Sequence, residues 1–133
     1  MLSQMRDYQK LESTDLRVLV KRVEDGLESQ LLVIQTPFGY RRIVEMFGPE
    51  GDGSYAAILY VHWYEPESID SHRTQFEEEA KEMARSGAVC ISIETLWSDR
   101  DFFLKRTQED DRRNSMEEVV NIRRAMDLLL SQS

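Results

Sequence analysis

The most informative segment of the sequence is AILYVHWYEPESIDSHRTQF, residues 57–76. It begins as a continuous apolar run, which is typical of a strand that is covered on both faces, as in a parallel sheet. The run ends at His62, Trp63 and Tyr64, and an acidic loop with a proline follows before a segment of helical character. The stretch therefore predicts a buried strand that leaves the sheet at His62 and leads through a loop into a helix.

A second buried strand is predicted at AVCISIE, residues 88–94. Between the two strands, a helical stripe is formed by Phe76, Ala80, Met83 and Ala84. Thr74 and Glu77 have the spacing of a capping box at its start, and Gly87 stands where a helix commonly ends. Strand, helix and strand together predict a βαβ unit with two parallel strands.

Antiparallel strands are predicted upstream of this unit. The segments are LRVLVKRV (16–23), LLVIQT (31–36) and RRIVEMF (41–47), and AAILYVHW (56–63) is the first buried strand. Residues 1–14 are expected to form a polar N-terminal arm, and residues 15–133 a single α/β domain. No repeat or linker interrupts that domain.

A second helix is predicted near the C-terminus. Ser115 and Glu118 have capping-box spacing, and helical periodicity follows at Val119, Ile122, Met126 and Leu129. The segment before it, residues 95–114, has no clear period and reads as a long loop. The dibasic steps, Arg41-Arg42, Arg112-Arg113 and Arg123-Arg124, stand among acids and are expected to form surface ion pairs.

Composition narrows the classes of function. The 133 residues carry a net charge of −8, which favours neither nucleic acid nor an anionic lipid surface as a partner. No apolar run approaches about 18 residues, and the N-terminus lacks the apolar centre of a signal peptide, so a cytoplasmic protein is expected. The single cysteine, Cys90, lies in an apolar run and is expected to be a buried core residue. Two isolated histidines have no ligand spacing, so neither a metal site nor a cofactor is predicted.

The order of these parts resembles the N-terminal half of an α/β-hydrolase, most closely the dienelactone-hydrolase-related group. His62-Trp63 stands where the family has a His-Gly-type motif at the end of its third strand. QFEEEAKEMARSGAVCISIE (75–94) is similar to the following helix and strand, and NIRRAMDLLLSQ (121–132) to the helix before the nucleophile strand. The resemblance covers about residues 30–131. It implies a partial α/β-hydrolase fold, in which antiparallel N-terminal strands lead into a parallel βαβ core with flanking helices.

The resemblance also implies a site at the ends of the two buried strands. The backbone N–H of Trp63, or of Tyr64, is a candidate donor to an oxyanion, while the alternative is that these aromatic side chains only cover the top of the sheet. Trp63 replaces a glycine of the family and adds bulk beside this position. His62 is expected at the pocket as a structural hydrogen-bonding residue. Glu94 lies at the same edge, either lining a pocket or serving as a rim or loop-capping residue.

The remaining parts of a hydrolase site are not found in the sequence. No G-x-S-x-G motif occurs, and Ser54 and Ser86 stand in the wrong context for a nucleophile elbow. Both histidines precede the position at which the nucleophile would stand, whereas the family's catalytic histidine comes last.

Two classes of function remain open. The chain is either the scaffold half of a hydrolase of ester, lactone or similar acyl bonds, or a non-catalytic relic or protein-interaction module. By the resemblance, the strand at residues 57–61 borders a nucleophile strand that this chain lacks. We therefore expect that edge to pair in a homodimer or with a complementing C-terminal half.

Overall fold

The strands and helices follow one another in the order expected of a βαβ unit preceded by antiparallel strands. A computed structural model describes residues 2–53, 55–64, 72–99 and 101–131. The described strands are β1 (Leu16–Glu24), β2 (Leu27–Gln35), β3 (Arg41–Pro49), β4 (Ala56–Val61) and β5 (Ala88–Ile93). The described α-helices are α1 (Leu2–Arg6), α2 (Glu77–Arg85), α3 (Phe102–Lys105) and α4 (Gln108–Leu130). Short 3₁₀ helices span Ser13–Asp15, Arg73–Phe76 and Leu96–Ser98.

The strands form a mixed five-stranded sheet in the order β1-β2-β3-β5-β4. Neighbours pair antiparallel from β1 through β3 to β5, while β4 and β5 pair in parallel, from Ala56 opposite Ala88 to Val61 opposite Ile93. The predicted antiparallel strands and parallel βαβ unit are therefore confirmed as an α/β fold. Within the described residues, β4 is the outer strand and pairs on one side only.

The core lies on both faces of the sheet, and β5 is buried at every residue. One face packs against α4 through a cluster of Leu32, Ile34, Val44, Met46, Val89, Ile91, Ile93, Ala125, Leu128 and Leu129. The other face packs against α2 through Leu27, Phe47, Ala80, Ala84, Ala88 and Cys90. Cys90 is fully buried, as predicted, and burial raises the pKa of its thiol to about 11, which keeps it protonated and unreactive.

The predicted start of α2 is wrong. Thr74 lies in the preceding 3₁₀ helix, where its N–H is capped by the side chain of His72, and α2 begins at Glu77 without a side-chain cap. The predicted stripe is also too wide, because Met83 is 40% exposed while Ala80 and Ala84 are fully buried. The small alanine side chains bring the helix close to the sheet and leave Met83 at its margin. Gly87 ends the helix as predicted, with a φ of +103°.

The predicted start of α4 is wrong as well. The helix begins at Gln108, and the side chain of Thr107 accepts a hydrogen bond from the N–H of Asp110 at 3.1 Å. Ser115 therefore lies inside the helix, and Glu118 forms a buried ion pair with Arg42 on β3. The first two turns of α4 consist largely of charged, exposed residues. They therefore lack the apolar periodicity from which a helix is predicted.

The segment at residues 95–114 is more ordered than a loop, since it contains the third 3₁₀ helix, α3 and the beginning of α4. The strands differ from prediction mainly at their ends, since β2 begins earlier, at Leu27, and β4 stops at Val61. The acidic loop predicted after Tyr64 lies at residues 65–71, outside the described residues, and so does Ser54.

Two of the dibasic steps place one arginine inside the protein, contrary to the expected surface ion pairs. Arg124 on α4 is 1% exposed, and it donates to the carbonyls of Gln9, Lys10 and Gln35 and to the carboxylate of Asp15 at 3.0 Å. This guanidinium therefore fastens the N-terminal segment to α4 and to the end of β2. The division into an arm at residues 1–14 and a domain at residues 15–133 stays a prediction.

Replacing Arg124 tests how much this contact contributes to stability. Arg124→Met keeps most of the side-chain volume but leaves buried carbonyls and a carboxylate without their donor. We expect the free energy of unfolding to fall by about 3–5 kcal/mol, as is typical when one partner of a buried pair is removed. Denaturant unfolding followed by circular dichroism measures the change.

Arg123→Met provides a matched control on the same helix turn. Arg123 is exposed and donates to the carbonyl of Met5, so its replacement is expected to cost less than about 1 kcal/mol. Equal losses in the two variants would show that Arg124 has no special role in fastening the N-terminal segment.

Candidate functional site

The candidate site lies where β4 and β5 end side by side. Because the two strands are parallel and in register, the residues that follow them meet at the same edge of the sheet. His62 follows β4, and Glu94 follows β5. The structure thus brings His62 and Glu94 to one edge, as the sequence predicts.

The imidazole of His62 joins the ends of the two strands. It is 2% exposed, and its Nε2 accepts a hydrogen bond from the backbone N–H of Thr95 at 3.2 Å. The hydroxyls of Thr95 and Ser98 lie 2.9 and 3.3 Å from the same nitrogen. Since a backbone N–H can only donate, Nε2 is unprotonated, and the ring proton is on Nδ1, 3.3 Å from the carbonyl oxygen of Trp63. Both ring nitrogens are therefore occupied by structural contacts.

The loop after β5 closes over the end of β4. Trp97 Nε1 donates to the carbonyl oxygen of His62 at 2.9 Å, and the two rings lie 5.8 Å apart. The loop is thus fastened to the end of β4 through the ring and the carbonyl oxygen of His62.

Burial lowers the pKa of His62, because a charged imidazole would lose its hydration without gaining an equally good partner. The hydrogen bond to the Trp63 carbonyl and the negative charge of Glu94 oppose this effect but do not reverse it. The neutral form is therefore the stable one in the folded protein.

Glu94 belongs to an ion-pair network with Arg73 and Glu45. Its carboxylate accepts from Arg73 Nη1 at 2.8 Å, and Arg73 Nε lies 3.4 Å from Glu45 on β3. Burial alone would raise the pKa of Glu94, but hydrogen bonds from Ser98 and Arg73 lower it below its ordinary value. For Glu45, burial outweighs the attraction of Arg73, and its pKa is raised.

The backbone N–H of Trp63 points to a side-chain oxygen. It donates to Gln75 Oε1 at 2.9 Å, and Gln75 lies in the 3₁₀ helix Arg73–Phe76. The indole of Trp63 is 54% exposed and packs edge-on against Phe76 at 5.3 Å. It therefore covers the end of β4 only in part.

The ring of Tyr64 packs against Phe103 on α3 at 4.1 Å. Both predicted aromatic residues thus contact other aromatic rings at this edge. The role of the Trp63 or Tyr64 backbone as an oxyanion donor stays a prediction.

Sequence reasoning missed Arg73 and Gln75. They contact Glu94 and Trp63 across 21 and 12 residues of chain, and nothing in their local sequence marks them. Both residues reach the site because the 3₁₀ helix Arg73–Phe76 lies over the ends of β4 and β5.

Comparisons with known proteins support the fold. A solved structure named Methylesterase BT1017 superposes with a TM-score of 0.67 over 98% of this chain and 29% of that chain, at 16% sequence identity. An acetyl xylan esterase from Paenibacillus sp. R4 gives a TM-score of 0.48 over 71% of this chain and 36% of that chain, also at 16% identity. No protein-family model matches the sequence, and no curated protein matches it.

At 16% identity, the methylesterase likeness shows a shared fold and no more, and the acetyl xylan esterase superposition is too weak to carry an argument. The chain spans less than a third of the methylesterase's length. The fold is a mixed five-stranded α/β fold, of the kind found within a solved methylesterase. In the described ranges, no helix is both long and apolar enough to cross a membrane.

The lowered pKa of His62 predicts a pH dependence of stability. Unfolding returns the imidazole to its ordinary pKa of 6.5, so below that pH the unfolded chain binds a proton that the folded chain does not. The free energy of unfolding should therefore fall as the pH falls below 6.5, until the pH passes the folded pKa, and this contribution should be constant above 6.5. Urea unfolding across this pH range measures it.

His62→Gln is the informative variant, because glutamine can still accept from Thr95 but does not titrate. The difference in unfolding free energy between wild type and this variant should grow as the pH rises to 6.5. Identical pH profiles for wild type and His62→Gln would contradict the assignment of a neutral, buried imidazole.

Proposed function

We propose that this chain is the scaffold half of an α/β-hydrolase-type enzyme, related to the dienelactone-hydrolase group, that acts on ester, lactone or similar acyl bonds. The observation that carries the proposal is the parallel β4–β5 pair at the end of the sheet, with the Trp63 N–H just after β4, where it donates to Gln75 Oε1. The superposition on part of a methylesterase supports the same proposal at the level of the fold.

The proposed role of Trp63 is to bind the oxygen that becomes negative during acyl transfer. A nucleophile adds to the carbonyl carbon, the carbonyl oxygen takes the negative charge, and the tetrahedral species then releases the alcohol, which takes up a proton. A backbone N–H stabilises that oxygen when the two atoms lie about 2.7–3.1 Å apart. The distance of 2.9 Å from Trp63 N to the amide oxygen of Gln75 lies in this range and supports the proposed role.

His62 is not the general base of the proposed reaction. Its Nε2 accepts from the Thr95 N–H, its Nδ1 faces the Trp63 carbonyl, and the ring is 2% exposed. It acts instead as a positioning residue for the loops that follow β4 and β5. The nucleophile and its base are proposed to come from residues outside this chain.

A non-catalytic role is the second candidate, as a hydrolase relic or a protein-interaction module. It is favoured by the Gln75 side chain, which occupies the proposed oxyanion donor, and by the outer position of β4. The hydrolase function requires a nucleophile strand after residue 133, whereas the non-catalytic role does not.

Labelling by a fluorophosphonate probe separates the two functions. The 133-residue chain should not react stoichiometrically, because no serine in the described part of the chain lies at a strand-to-helix elbow. If the sequence encoded immediately downstream supplies a strand and G-x-[SCD]-x-G, adding it to the chain should produce ester hydrolysis. Labelling should appear as well when the elbow residue is Ser. For a Cys or Asp elbow, hydrolysis alone is the readout. Stoichiometric labelling of one serine in the chain itself would contradict the proposal.

Trp63→Pro in the extended protein removes the proposed donor, whereas Trp63→Phe keeps the backbone N–H and is the matched control. The proline variant should lower kcat by about 10²–10³, the usual effect of losing one oxyanion donor. Equal activity of the proline and phenylalanine variants would remove Trp63 from the mechanism.

We also propose that the outer edge of β4 accepts a further strand, from a complementing C-terminal half or from a second copy of the chain. β4 carries no charge and no proline from Ala56 to Val61, and its residues are half-buried or exposed, unlike those of β5. An apolar strand with one open edge is a template for strand addition.

Hydrogen exchange with sedimentation tests the edge. The amides of residues 57–61 should become protected as the chain associates at high concentration, or when a C-terminal half is added. Leu59→Lys should weaken association through its charge, and Leu104→Lys, at an 85% exposed residue of α3, controls for the added charge. Pairing at this edge would be excluded if the chain stays monomeric with fast exchange at residues 57–61, and if adding the C-terminal half alters neither the sedimentation nor the exchange.

A further inference from the structure

The Trp63 N–H is occupied by a carbonyl oxygen that the protein itself supplies. Gln75 Oε1 belongs to a primary amide, and its oxygen has the same acceptor chemistry as the carbonyl oxygen of an ester or amide substrate. The separation of 2.9 Å is an ordinary hydrogen-bond length. The side chain of Gln75 therefore stands where the proposed function requires the acyl oxygen.

The backbone that carries Gln75 is anchored on both sides. On one side, Arg73 pairs with Glu94 at 2.8 Å and with Glu45 at 3.4 Å, and all of these side chains are largely buried. On the other side, Phe76 packs against Tyr60 at 5.6 Å and against Trp63 at 5.3 Å. The 3₁₀ helix is thus fixed over the ends of β4 and β5, and the position of the Gln75 amide follows from it.

The contact between Gln75 and Trp63 is nevertheless replaceable. It is solvent-exposed, in contrast to the buried hydrogen bonds of His62. When the Gln75 side chain turns away, water can hydrate its amide, so no buried polar group is left unsatisfied. An incoming carbonyl oxygen can therefore exchange with the glutamine while the backbone of the 3₁₀ helix stays in place.

We propose that Gln75 is an internal placeholder for the substrate's carbonyl oxygen, which keeps the Trp63 donor oriented and must be displaced by an ester or amide carbonyl. The proposal rests on the proposed function and identifies what fills its oxyanion position before substrate binds. The site then binds a carbonyl oxygen as a hydrogen-bond acceptor, and this oxygen must compete with the Gln75 amide oxygen for the Trp63 N–H.

Nuclear magnetic resonance on the ¹⁵N-labelled full chain tests this proposal without requiring turnover. In Gln75→Ala, hydrogen exchange at the Trp63 amide should accelerate by about tenfold, the scale of one lost hydrogen bond. Methyl acetate should then shift the Trp63 amide resonance in a saturable manner in this variant, and much less in wild type. Gln4→Ala, at an exposed glutamine of α1, should behave like wild type in both measurements.

Gln75→Glu gives an independent readout that keeps the acceptor and the side-chain length. The Trp63 amide resonance should move as the introduced carboxyl titrates, while the amides of β5 keep their wild-type exchange rates in both Gln75 variants. The proposal would be overturned by wild-type exchange at Trp63 in Gln75→Ala, or by equal resonance shifts of wild type and Gln75→Ala on addition of methyl acetate. It would also be overturned if the Trp63 resonance did not titrate in Gln75→Glu. Failure of the extended protein to hydrolyse esters would overturn the proposed function alone.

Discussion

The hydrogen bond from the Thr95 N–H to His62 Nε2 is the contact on which the geometry of the site depends. It ties the residue after β4 to the loop after β5, and it requires a neutral imidazole whose other nitrogen faces the Trp63 carbonyl. Trp97 closes the arrangement by donating to the His62 carbonyl. These contacts hold the backbone at the end of β4, from which the Trp63 N–H donates to Gln75.

The charged residues inside this acidic protein connect elements that lie far apart in sequence. Arg73 links the 3₁₀ helix to β3 and to the end of β5, Arg42 links β3 to α4, and Arg124 links α4 to the N-terminal segment. Buried ion pairs contribute little net stability, because desolvation offsets most of the attraction, but removing one partner is costly. Their effect here is to fix which elements meet, and hence to place the 3₁₀ helix that carries Gln75.

The sequence was sufficient for those features that rest on apolar patterning. The continuous runs at β4 and β5 predicted the parallel pair, and from that pair the meeting of His62 and Glu94 at one edge followed directly. Capping motifs were less reliable: Ser115 and Glu118 have the right spacing, yet Glu118 was needed as the buried partner of Arg42. A local motif cannot show that a carboxylate is used by a strand more than 70 residues away.

The contacts that define the site were the least predictable part for the same reason. Arg73 and Gln75 act across the sheet edge, and the buried position of Arg124 depends on which side of its helix meets the core. Such contacts depend on the packed fold and have no signal in a short window of sequence. The outer position of β4 within the described sheet was expected only from the resemblance and not from any residue pattern.

A crystal structure of the extended protein with a phosphonate transition-state analogue tests the proposal that the Trp63 N–H receives the acyl oxygen. We expect a phosphonyl oxygen about 2.7–3.1 Å from Trp63 N, with the Gln75 side chain turned away from it. A phosphonyl oxygen held by other donors, with Gln75 Oε1 still bonded to Trp63, would exclude this role for Trp63.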